Sequence, residues 1–363
     1  MKSKTFVTII GTALGAYLLL NMLVWTQFTR YLLSNPECKG GDLSRLGYVR
    51  SSNMCKETEN NLPRRHLEEH EYKGQKIGVL TIGDSFSSGG GGGLNSYYQD
   101  HLASINNVNV LNIMGYNRLD LITTVSMKNN NGYFERIKPE YVLIECAEKV
   151  CLNDLPETID FSRGISEKEL EMYGKVNYSG KDHGQKSSAK AGSVPFQLNF
   201  ISDANFKLAR NSILYHFSDN AFFSQVYKAK LAKPFFSVED SDTLLFLDKD
   251  VKKRNDINLK RITRMNNYLN SLADQLAVKG IRLIFMPVVD KYNLYSIYVV
   301  NRKYPESPFF EEFRKLPKRY RFIDTKALLR EELARGEKDV FHADDTHWSW
   351  KASKKIFESV HFN

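Results

Sequence analysis

A serine at the exit of an apolar run, and a histidine two residues after an aspartate, are the parts of an activated hydroxyl. Here Gly83-Asp84-Ser85-Phe86-Ser87 follows the short, β-branched run Ile77-Gly78-Val79-Leu80-Thr81-Ile82, and Asp345-Thr346-His347-Trp348 lies near the far end of the 363-residue chain. A serine attacks a carbonyl when a base takes its proton and a third group orients that base. Asp345 and His347 can supply both roles from one short loop: the carboxylate bonds one imidazole nitrogen and the other faces Ser85. Asp and Ser are also routine turn and cap residues, so G-D-S alone says little and D-x-H less. Their joint placement, one motif after a first strand and the other before a last helix, makes a Ser85-His347-Asp345 triad the expectation.

The elements that must bring these residues together alternate along the chain. Strand 77–82 is followed by a helix within 94–106, strand 107–113, a helix near 118–127 and strand 141–147. Later come an amphipathic helix over 259–280 ending at Gly280, strand 281–289, strand 321–325, a helix over 326–335 and a closing helix over 349–360. Such alternation implies an α/β fold with a mostly parallel sheet covered on both faces, whose ligands bind at the strand ends. Between 152 and 257 the rhythm breaks, which reads as an insertion between the third strand and the long helix, either a cap on a substrate groove or decoration. Within it Asn177-Tyr178-Ser179 has the form of a glycosylation acceptor. The run Gly89 to Gly93 admits two readings, a mobile lip beside the site or a flexible surface spacer.

Residues 1–30 are a membrane anchor by composition: Phe6 to Phe28 carries no charge and follows Lys2 and Lys4. As a helix it spans roughly 34 Å, and the flanking lysines place the N-terminus in the cytoplasm and the rest outside. A cleavable signal peptide is the rival, but the small residues lie inside the apolar run and no A-x-A-like site follows it. Residues 31–74 read as a polar stalk and 75–363 as the main domain. In an oxidising compartment Cys38, Cys55, Cys146 and Cys151 could form two disulfides, with Cys38–Cys55 the favoured pair and Cys146 equally able to stay a buried thiol. Their spacing does not suggest a structural metal, and no cofactor motif is evident. The net charge of +9 is spread along the chain. An electropositive face suits an acidic polysaccharide or a membrane surface, and a nucleic-acid partner is not expected of an anchored, outward-facing domain.

The IGDSF and DDTHWSW motifs resemble those of the SGNH/GDSL hydrolase superfamily, in the D-x-H-W branch that includes the alginate O-acetyltransferases of the AlgJ and AlgX type. The resemblance implies a three-layer SGNH-like domain with Ser85 as nucleophile, His347 as base, Asp345 as its orienting carboxylate and Trp348 as a packing residue of the signature. VLNIMGYN resembles the second superfamily block, so Gly115 with the amide of Ser85 would form the oxyanion hole. Asp84, Glu148, Lys149, Lys291, Tyr295 and Trp348 are further candidates for the substrate border. Two departures stand out: no asparagine follows the third strand until Asn153, and Glu148-Lys149 has lysine, which lacks the planar fork, where the branch often has arginine. By resemblance the function is O-acetylation of an exopolysaccharide or other surface glycan through an acetyl-serine, with the acetyl group passed across the inner membrane by a polytopic acyltransferase. The alternatives are an extracytoplasmic carbohydrate acetylesterase, or a non-catalytic glycan-binding or assembly protein on the same fold.

Overall fold

The computed structural model describes residues 3–34, 38–176, 200–252 and 257–362. The Asn177-Tyr178-Ser179 tripeptide and the polar stretch 178–193 lie outside the described residues.

Six strands form one sheet in the order β1-β3-β2-β4-β7-β8, where β1 is Leu67–Glu68, β2 Val79–Gly83, β3 Val110–Met114, β4 Tyr141–Ala147, β7 Arg282–Val288 and β8 Arg321–Phe322. Every neighbouring pair in it is parallel. The central strands are buried from end to end, which is why they read as continuous apolar runs rather than alternating ones. Helices Tyr98–Asn106, Thr325–Ala334 and Trp350–Glu358 pack in one layer, and helices Leu121–Asn130 and Leu259–Ala277 in the other. The domain is thus an α/β three-layer sandwich of SGNH-like form.

The connection from β2 runs to β3 on one side, after which the chain returns to β4 on the other side of β2. That reversal opens a crevice at the carboxyl ends of β2 and β4, the place where open α/β sheets bind ligands. Ser85 lies two residues beyond the end of β2.

The segment 152–257 contributes helix Asp203–Leu214 and an antiparallel pair, β5 (Val226–Lys230) with β6 (Thr243–Leu247). Residues 38–72, expected as a stalk, instead fold onto the domain. Helix Asp42–Gly47 packs on β5 and β6, and β1 adds to the edge of the main sheet beside β3. Cys38 and Cys55 are bridged, whereas Cys146 and Cys151 are buried free thiols. Ser3–Leu33 is one helix long and apolar enough to cross a membrane.

Candidate active site

After β2 the chain makes a single tight turn over Ser85–Ser88, capped by Asp84. Asp84 Oδ1 accepts the amide of Phe86 at 3.1 Å and Oδ2 the amide of Ala147 at 2.8 Å, so this carboxylate, a candidate for the substrate border, ties the Ser85 turn to the end of β4. Glu145 lies beneath, its Oε2 accepting from the Asp84 amide at 3.2 Å and Ser87 Oγ at 2.8 Å. Burial first, and the Asp84 charge second, push the Glu145 pKa well above the carboxylate range. Gly83 is required here: a Cβ would stand 2.2 Å from Glu145 Oε2.

The histidine loop meets this turn. Ser85 Oγ is 2.7 Å from His347 Nε2, and His347 Nδ1 is 2.7 Å from Asp345 Oδ1. The same Asp345 oxygen accepts the His347 amide at 3.1 Å, which fixes the carboxylate against its own loop. Phe86 packs on both sides of the joint, 4.6 Å from the His347 ring and 4.9 Å from Trp348. Trp348 is buried and acts as a wedge. Lys291 is also buried, and its Nζ donates to the carbonyls of His342, Ala343 and Asp345 at 2.7, 3.0 and 3.0 Å. It therefore lies under the loop it organises rather than at the substrate border. Burial lowers its pKa to about 8 against the pull of Asp344, Asp345 and Asp42. Tyr295, likewise fully buried, accepts the Phe341 amide through its hydroxyl and supports the start of the same loop.

Two contributors escaped the sequence reading, and a third was singled out there without its contact. The first is the strap 38–56. The Asp42 amide donates to Asp345 Oδ2 at 3.2 Å, and the Asp42 carboxylate accepts the Thr346 amide and hydroxyl at 2.8 and 2.5 Å. Asp344, next to Asp345, holds the strap by accepting the amides of Gly41 and Met54. The second is Lys56, whose Nζ lies 3.5 Å from Asp345 Oδ2 and donates to the Gly91 carbonyl at 2.7 Å. The third is the glycine run. A Cβ on Gly90 would fall 2.4 Å from both Cδ2 and Nε2 of His347, and Gly91, at φ +83°, lies against the Cβ of the same histidine. The run lies beside the site, and at Gly90 and Gly91 the missing side chain lets the backbone lie flat on the imidazole. The one available signal was the cysteine pair that brackets Asp42 and immediately precedes Lys56.

The electrostatics match a poised base. Burial opposes the Asp345 charge, yet Lys56 and the hydrogen bond from His347 outweigh it and hold the carboxyl well below its usual value. Burial likewise opposes charge on His347, but the hydrogen bond and charge of Asp345, with Asp42 and Asp84 beyond, raise its pKa above 6.5. Oxygen and nitrogen atoms of Asp42, Asp345 and His347 come within 4.8 Å of one another, the spacing of a metal cluster. Both Asp42 oxygens already accept from Thr346.

The remaining candidates flank the crevice. The register pairs Gly83 with Met114, so Gly115 follows the neighbouring strand end, and it lines with Asp84 a cavity of about 50 Å³. Glu148 is fully buried and accepts from the Asp290 amide and Asn293 Nδ2, joining the end of β4 to the end of β7. Lys149 Nζ donates to Asp250 at 2.8 Å and lies 3.4 Å from Asp290. Both work as braces here.

No curated protein matches this chain. Residues 238–360, a stretch that contains β7, Lys291 and the whole histidine loop but not Ser85, match the family described as the SGNH hydrolase-like domain of acetyltransferase AlgX, and over that third of its length this chain is similar to that domain.

Proposed function

We propose that the protein is a membrane-anchored, extracytoplasmic O-acetyltransferase that acetylates an exopolysaccharide or other surface glycan through an acetyl-serine. The observation that carries this reading is the continuous chain of hydrogen bonds Ser85–His347–Asp345, 2.7 Å at each link. The similarity of 238–360 to an acetyltransferase domain supports the choice of acyl group.

In the first half-reaction His347 Nε2 takes the Ser85 proton as Oγ attacks the carbonyl carbon of an acetyl donor. The oxyanion forms toward the amides of Ser85 and Gly115; a donor of this kind is worth about 10²–10³ in rate. Collapse breaks the bond to the leaving oxygen, which receives the proton from His347, and leaves acetyl-Ser85. In the second half-reaction His347 deprotonates a sugar hydroxyl, which attacks the acetyl carbonyl. Ser85 leaves with its proton restored, and the acetyl ester now sits on the glycan. The Ser3–Leu33 helix would hold this site at the outer face of the inner membrane, where a polytopic membrane acyltransferase can supply the acetyl group.

Full-length protein incubated with a chromogenic acetyl ester tests the reading. Mass spectrometry should find one acetyl group, on Ser85; an adduct elsewhere, or none during turnover, would overturn it. Adding candidate glycans separates the outcomes, because a transferase moves acetyl to sugar whereas an acetylesterase releases acetate at the same rate with no acceptor present.

A further inference from the structure

Helix Asp203–Leu214 has two faces. Ala204, Asn205, Leu208 and Asn211 point inward, whereas Phe206, Ala209 and Ile213 point out, and the outward stripe continues into Phe217. Phe206 is 68% exposed, Ile213 61% and Phe217 75%, with Phe222 and Phe223 exposed just beyond. An exposed stripe of large apolar groups at three- and four-residue spacing calls for a covering surface.

The neighbouring helix says what covers it. Asn205 Nδ2 donates to the Asn21 carbonyl and Oδ1 at 3.2 and 3.1 Å, so this helix is fastened to the apolar N-terminal helix. The cleft between them is lined by Tyr17, Leu20, Val24, Ile201 and Phe206. Asn21 precedes Arg30, the first charge after Lys4, by nine residues, or about 14 Å of helix. The headgroup zone is only about 5–8 Å deep on each side of a bilayer. If Phe6–Phe28 crosses a membrane, the point where Asn205 is attached already lies beneath the headgroups, about 6–9 Å into the hydrocarbon, within the depth of about 5–10 Å that an interfacial helix reaches. Lys207, paired with Asp203, and Arg210, which donates to Asn211 Oδ1, lie half-buried beside the stripe on stems long enough to reach the headgroups.

We propose that helix Asp203–Leu214 lies in the bilayer interface beside the spanning helix, with Phe206, Ile213 and Phe217 among the acyl chains. The domain then rests on the membrane through two attachments, one crossing it and one lying in its surface. This reading stands on the spanning helix and is independent of the chemistry at Ser85.

Single cysteines at Phe206, Ile213 and Phe217, each carrying an environment-sensitive fluorophore in the full-length protein, provide the test in phosphatidylcholine–phosphatidylglycerol vesicles. Cys38 and Cys55 are bridged and Cys146 and Cys151 are buried, so the introduced thiols are the reactive ones under non-reducing conditions. A label at Val278, 88% exposed at the end of helix Leu259–Ala277, is the aqueous control. The three stripe labels should be quenched by nitroxide-bearing lipids and be about fivefold less accessible to iodide than the control. Stripe labels as open to iodide as the Val278 label would overturn the proposal. So would labels shielded from iodide but untouched by lipid nitroxides, which would mean that protein covers the face.

Discussion

Asp42 and Asp345, 303 residues apart, meet at the oxygen of the triad carboxylate that His347 does not use: the Asp42 amide donates to Asp345 Oδ2 at 3.2 Å. The carboxylate is thereby held from both ends, one oxygen on the imidazole and the other on a segment that precedes the main sheet. A base fixed in this way keeps its orientation as it gains and loses a proton.

Changing Asp345→Asn should retain the fold and lower kcat for acetyl transfer by about 10⁴. The pH profile supplies an independent readout. His347 acts as base only when neutral, and Asp345 raises its pKa above 6.5, so activity should fall as pH drops through that raised value. Without the carboxylate the acidic limb should move to lower pH. A limb that stays in place would separate His347 from the titration that controls the rate.

Gly90→Ala places a methyl group 2.4 Å from His347 Nε2. The imidazole must move away from Ser85, and a displacement near 1 Å costs about 10²-fold in rate. The methyl also stands 2.6 Å from the Ser85 carbonyl oxygen, so the turn must shift and thermal stability should fall along with kcat. Near-normal turnover of this variant would show that the glycine run has no part in holding the base.

Lys56→Met removes the cation 3.5 Å from Asp345 and the donor to Gly91. With less positive charge facing the triad carboxylate, the proton on His347 is held more firmly, so the acidic limb should shift to higher pH. Comparison with Lys56→Arg, which keeps the charge, distinguishes this from loss of packing. An unshifted limb in Lys56→Met would count against the electrostatic account.

Lys291→Met leaves three buried carbonyls without their shared donor. Leaving a buried acceptor unsatisfied costs about 1–3 kcal/mol, so chemical denaturation should show a loss of at least that order. The histidine loop should loosen first, detectable as faster amide exchange over 342–347 than in the sheet.

The sheet was legible because its strands are short apolar runs separated by helices with recognisable ends; Asn258 and Ser349, for instance, cap the helices they precede. The Ser85 and Asp345-His347 motifs were legible only jointly, one at a strand exit and the other before a closing helix, because each residue type alone is routine at such a position. Asp42, Lys56 and Gly90 were not. Each acts through a contact made across tens to hundreds of residues, and none lies in a periodic segment that could reveal a face. Lys291 and Tyr295 illustrate the opposite difficulty: polar groups near a motif read as substrate contacts, yet their donors and acceptors are taken up by backbone that only the fold brings near. The two-residue β1 is too short for any pattern to announce it.

The Cys38–Cys55 bridge closes the segment that carries Asp42 and sets Lys56 at its edge. A chain whose thiols are reduced keeps the hydrogen bonds of that segment to Asp344 and Thr346 but loses its covalent closure. On the outward topology proposed above the bridge can form only after transit, and activity is expected to be lower in the chain that lacks it. Activity that is equal in the Cys38→Ser/Cys55→Ser chain and in the bridged one would show that the bridge has no such effect.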